Sequence, residues 1–105
     1  MKKPKDFGLG TGLTLHEWQD NTETTNRELC RLTEEVDPER IRWEENGREG
    51  PQPKYGVAEG TIRGVRRGEN CTVRVAQLLV LASLHRPAMI DGEPMHIDWW
   101  TLYDL

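Results

Sequence analysis

One run of apolar residues limits what this chain can fold into. Between Val73 and Leu84 stand Val73, Val75, Ala76, Leu78, Leu79, Val80, Leu81, Ala82 and Leu84. No other part of the sequence is as apolar. Thr72 supplies an N-cap and Pro87 a stop. The pattern predicts a helix that is greasy on most faces, and such a helix belongs at the centre of a small core.

The segments before it supply helices to surround it. Thr14-Leu-His-Glu17 and Thr25 with Glu28 are both capping-box patterns, and each predicts a helix start. The first would carry Leu15 and Trp18 inward and end near Asp20-Asn21. The second would run to Val36 with Leu29, Leu32 and Val36 on one face. Asp37-Pro38 then restarts the chain, with Asp as cap and Pro at the first helical position. Ile41 and Trp43 are the apolar positions of that third segment. Residues 46–53, NGREGPQP, read as a loop because two Gly and two Pro exclude a good helix.

Lys54 to Gly68 is different in character. Val57, Ile62 and Val65 anchor a short helix, while Arg63, Arg66 and Arg67 lie largely off its apolar face. Gly68 can close it in the left-handed conformation. Charge is distributed unevenly around this stretch. Residues 54–86 carry six Lys or Arg against Glu59 and Glu69, a local +4, inside a chain of net −4. A basic segment between acidic flanks can form a local phosphate-binding face.

After Pro87, Ala88–Ile90 and Met95–Ile97 read as two short strands around a turn at Asp91-Gly92-Glu93-Pro94, with Pro94 weakening a strict hairpin. The tail DWWTLYDL brings Trp99, Trp100 and Tyr103 together. These aromatics either pack on the chain's own core or form a contact with a partner.

The residue types limit the chemistry. Cys30 and Cys71 have no metal-ligand spacing, and His16, His85 and His96 are scattered, so the expectation is free thiols, no metal and no cofactor. Gly8, Gly10 and Gly12 lack the Lys-Ser or Lys-Thr of a phosphate loop. No nucleophile–base or paired-acid arrangement stands out, which argues against an enzyme. No run reaches membrane-spanning length and no apolar signal core opens the chain, so a cytoplasmic protein is expected.

The stretch YGVAEGTIRGVRRGENCTVRVAQLLVLASL resembles the second half of a Cro- or Xre-type helix-turn-helix domain. Gly56-Val57-Ala58 matches the turn, Thr61-Ile62 the recognition helix, Gly68 its end, and Leu81-Ala82-Ser83-Leu84 the following core helix. The resemblance implies a helix-turn-helix-like core, and together with the residue patterns above the expected fold is mainly α: a small helical bundle with that core and a short C-terminal β-hairpin or extended tail. Residues 1–13 would form a flexible lead, 14–87 the helical domain, and 88–105 the hairpin and aromatic tail. The family's helix before the turn would fall at residues 50–55, where Pro51 and Pro53 stand. A displaced helix around Pro38 to Asn46 would have to replace it.

The implied function is a DNA-binding transcriptional regulator acting as a homodimer, with the helix around residues 58–67 in the major groove. Its candidate DNA-facing positions are Glu59, Gly60, Thr61, Arg63 and Arg66, and Arg66, Arg67 and Lys54 are the candidates for phosphate on double-stranded DNA. The competing reading is a compact, phage-type inhibitor or protein-interaction module that docks through acidic and Trp-rich surfaces, with Trp99, Trp100 and Tyr103 as its partner contacts.

Overall fold

The structure, a computed structural model, describes residues 12–69 and 71–102. Five helices come first: α1 (Leu15–Thr22), α2 (Asn26–Val36), α3 (Pro38–Glu45), α4 (Glu59–Arg66) and α5 (Val73–His85). A hairpin of β1 (Ala88–Ile90) and β2 (Glu93–Met95) and a 3-10 turn at Trp99–Leu102 follow. The fold is mainly α, a small helical bundle with a short C-terminal β-hairpin.

The helix starts are where the capping chemistry puts them. Thr14 and Thr25 each accept the backbone N–H three residues on (3.1 Å), and Glu17 and Glu28 reach back to the cap N–H groups. Asp37 accepts the N–H of Glu39 at 2.9 Å, with Pro38 in the first turn of α3. Thr72 caps α5 through the N–H of Val75. Helix α1 runs through Asp20-Asn21 to Thr22 and ends at Glu23, which adopts a left-handed conformation.

Helix α5 is the central element. It packs on α2 and on the 3-10 turn and buries Ala76, Leu78, Leu79, Ala82 and Ser83. Trp18, Leu29, Ile62 and Ile97 complete the fully buried centre. Trp18 covers the core as expected, and its indole N–H donates to the Arg86 carbonyl (2.9 Å), tying α1 to the end of α5. Buried hydroxyls tie further elements. Ser83 accepts the N–H of Ile97, and Thr33 on α2 accepts the N–H of Val57 (both 2.9 Å). Each satisfies a buried backbone donor that no helix or sheet ladder reaches.

Pro94 lies within β2, opposite Met89, and Glu93 opposite Ile90. The turn is therefore only Asp91-Gly92, both with positive φ (51° and 82°), the conformation that matches the twist of a two-residue hairpin. In such a hairpin the pair next to the turn exchanges hydrogen bonds and the following pair does not. Pro94 occupies the following pair, where a missing N–H costs the ladder nothing.

Of the N-terminal lead, residues 1–11 lie outside the described residues. Leu13 is part of the body: it forms a parallel bridge with Ile97, and its carbonyl accepts the N–H of Asp98 (2.8 Å). Gly12 comes so close to Asp98 that a Cβ would stand 2.7 Å from its backbone nitrogen.

Candidate nucleic-acid interface

Helix α4 is held from one side. Ile62 is fully buried and Gly64 is covered, while Val65 is half-buried; the helix rests on α2. Its entry is fixed by Gly56, whose φ is +78° and where any Cβ would collide with the Glu34 side chain on α2. Its exit is a Schellman closure: Gly68 N–H bonds Val65 O and Glu69 N–H bonds Gly64 O (both 3.0 Å), with Gly68 at φ +91°. Both ends of an eight-residue helix are thus set by backbone geometry rather than by burial.

The partner of α4 is α2, not α3. Helix α3 packs on α2 and buries none of its residues completely, and residues 46–58 return the chain to the start of α4. Arg40 stacks over Tyr55 (6.0 Å) and Arg48 over Trp43 (5.6 Å), laying that return against α3. Asp37 pins the base of the excursion. It is buried, accepts the N–H of Gly56 (2.9 Å), and pairs with Arg74 of α5 (2.8 Å), which also donates to the carbonyl of Lys54. The two packed helices α2 and α4 are therefore joined through α3 and a long loop instead of the three- or four-residue turn of a simple helix-turn-helix.

The outward face of α4 carries Gly60, Arg63 and Arg67, spaced three and four residues apart, so they form one exposed row. Thr61 is exposed beside it and borders an open depression with Gly60, Gly64, Val65 and Glu69. The cap position is Ala58, which has no side-chain hydrogen bond, so the first N–H groups of α4 lack a side-chain acceptor there. Gly60 has open space where its Cβ would be and no positive φ. Neither packing nor backbone conformation calls for glycine at that position.

The expected contact residues separate into groups. Arg63 is exposed, with no ion pair among the described residues. Arg67 is exposed and paired with Glu69 (2.6 Å), a surface pair that contributes little to stability and yields readily to a competing anion. Arg66 turns to α1, donating to Gln19 and lying 2.8 Å from His16 Nδ1. It is part of the α1–α4 joint, a role that its place beside Arg67 in the sequence concealed. Glu59 is half-buried beside Cys30. Lys54 is exposed on the approach to α4, and among the described residues only its carbonyl is engaged. The side chains of Trp99 and Trp100, and all of Tyr103, lie outside the described residues.

Cys30 and Cys71 are free and half-buried, and burial pushes both thiols above their ordinary range. Among the described residues no three His, Cys, Asp or Glu side chains are grouped to hold a metal, and no helix is long and apolar enough to cross a membrane. Comparisons with protein families, with curated proteins and with solved structures give no match.

Proposed function

We propose that this chain is a DNA-binding transcriptional regulator that presents α4 to the major groove of duplex DNA. The observation that carries the reading is the bare, basic outer face of α4. Arg63 and Arg67 point outward over a turn that has no cap side chain at Ala58 and no side chain at all at Gly60. A major groove admits a helix of this width, and short residues at its leading end let the backbone approach base edges. In this reading Arg63 contacts a guanine edge or a phosphate. Arg67 leaves Glu69 for a phosphate, Thr61 lies at the rim, and Lys54 adds a flanking positive charge. Arg66 is a positioning residue that fixes the angle of α4 against α1.

Titration with bulk duplex DNA at two salt concentrations tests this. The expected outcome is binding that weakens steeply with salt, with the slope reduced by about one for each of Arg63→Ala and Arg67→Ala that removes a phosphate contact. Absence of binding at low salt overturns the DNA reading and leaves a protein-interaction module as its replacement.

A further inference from the structure

A carboxylate lies on the helix that is proposed to meet a polyanion. Glu69 follows α4 in the chain, beyond the Gly68 turn, yet its side chain folds back along the helix. At Gly64, within α4, the nearest atoms outside the helix itself to where a Cβ would stand all belong to the Glu69 carboxyl group: Oε2 at 3.0 Å, Cδ at 3.3 Å and Oε1 at 3.6 Å. Glycine weakens a helix relative to alanine, and φ at Gly64 is not positive, so the backbone conformation does not call for it. The missing side chain makes a seat for the carboxylate.

The seat is open to solvent. Glu69 and Gly64 border the same depression as Gly60, Thr61 and Val65. The pair with Arg67 engages one oxygen only: Oε2 accepts from Nε at 3.1 Å and from Nη2 at 2.6 Å. Oε1 has no hydrogen-bond partner among the described residues. Glu59, the other acid of this segment, lies half-buried beside Cys30 at the opposite end of the helix.

We infer that Glu69 is a specificity-determining residue, and that its carboxylate accepts from the exocyclic amine of a cytosine in the major groove. The inference rests on the DNA reading and deepens it. When Arg67 moves to a phosphate, the Glu69 carboxylate is left without its cation beside a polyanion, and a donor is needed to offset the repulsion. Adenine and cytosine present amines along the major-groove edge, whereas guanine and thymine present O6, N7 and O4, all acceptors. Adenine sets its N7 acceptor beside its amine, which repels a second carboxylate oxygen; cytosine has no acceptor there. Cytosine is therefore the base that suits Glu69. The guanine paired with it turns O6 and N7 to the same groove, acceptors for an arginine of the adjoining row. The seat at Gly64 holds the carboxylate against the helix before contact, so less side-chain freedom is lost on binding.

Selection of a randomised duplex library by the full chain at low salt, followed by titration of the enriched site and its single-pair replacements, tests this. The expected result is a cytosine at one position, where replacement by thymine weakens binding on the order of tenfold. Glu69→Ala should bind bulk duplex at least as tightly as the parent, since a negative charge is gone, and should lose the cytosine preference while keeping preferences at other positions. Glu69→Gln, whose amide donates as well as accepts, should turn that position toward adenine. Glu69 is 60% exposed, so neither variant should change the melting curve appreciably. If the parent binds duplex and Glu69→Ala keeps the cytosine, the inference is overturned and the DNA reading stands; Glu69 then only neutralises Arg67. A parent that binds duplex without a cytosine-dependent position has the same consequence. A parent that binds no duplex at low salt overturns both.

Discussion

Helices α4 and α5 are neighbours in sequence and opposites in construction. Helix α5 buries five residues and contributes the inner wall of the core; α4 buries Ile62 completely, and among its other residues only Gly64 is also buried. The first is stabilised by packing, the second by what surrounds it: Gly56 and Val57 at its entry, Gly68 at its exit, and Arg66 reaching across to α1. A helix held mainly by its ends keeps its outer face free of structural duties. Sequence change there is cheap in stability, so residues such as Gly60 and Arg63 can be set by what the helix touches.

The largest expected effect belongs to α5. Leu79, on α5, is fully buried in the hydrophobic core. Leu79→Ala removes its packing and leaves a cavity, and should lower the free energy of unfolding by about 2–5 kcal/mol, read from the denaturant midpoint. Arg63→Ala, on the outer face of α4, should change that midpoint by less than about 0.5 kcal/mol. If the two variants lose similar stability, the division between a packed helix and an outward-facing one is wrong.

Gly60 sharpens the comparison from the other side. A glycine in a helix costs about 1 kcal/mol relative to alanine, and here no contact and no backbone conformation requires it. Gly60→Ala should therefore raise stability by roughly that amount. If α4 enters a groove, the added methyl should also weaken DNA binding while thermal stability rises. A variant that gains stability and binds as well as the parent leaves the glycine without a role in close approach.

Much of the scaffold was legible because it rests on local rules. Thr14, Thr25, Asp37-Pro38, Thr72 and Gly68 each act within a few residues of their own position, and each marks an observed boundary. Pro94 is a case where the local rule was incomplete: its cost depended on which pair of the hairpin it joined, a matter of register. The pairing of α4 with α2 past an intervening helix was beyond local reading. It depends on Asp37 meeting Gly56 and Arg74, and on Thr33 meeting Val57, contacts between residues far apart in the chain. The same limit hid the position of Arg66, since nothing nearby in sequence distinguishes an arginine that faces Gln19 from one that faces solvent. On α5 the apolar run marked a helix greasy on most faces and central to the core, as observed, but the run alone did not tell its inner face from its outer one. Val73 and Leu84 face outward.

The smallest effect concerns the capping boxes, which serve α1 and α2 and leave α4 and α5 untouched. Hydrogen bonds from the backbone and side chain of Thr14 hold the Glu17 carboxyl below its ordinary 4.5, and those of Thr25 do the same for Glu28. A carboxylate whose pKa is depressed by folding adds stability above its unfolded pKa and loses that contribution as pH falls through the folded value. The melting temperature should therefore decline as acid takes the solution below about pH 4.5, and Glu17→Gln with Glu28→Gln should reduce that decline while keeping a neutral acceptor at each cap. Both carboxyls are solvent-exposed, so screening keeps the change small and added salt reduces it further. If the double variant shows the same acid sensitivity as the parent, the two capping boxes are not the source of the acid response.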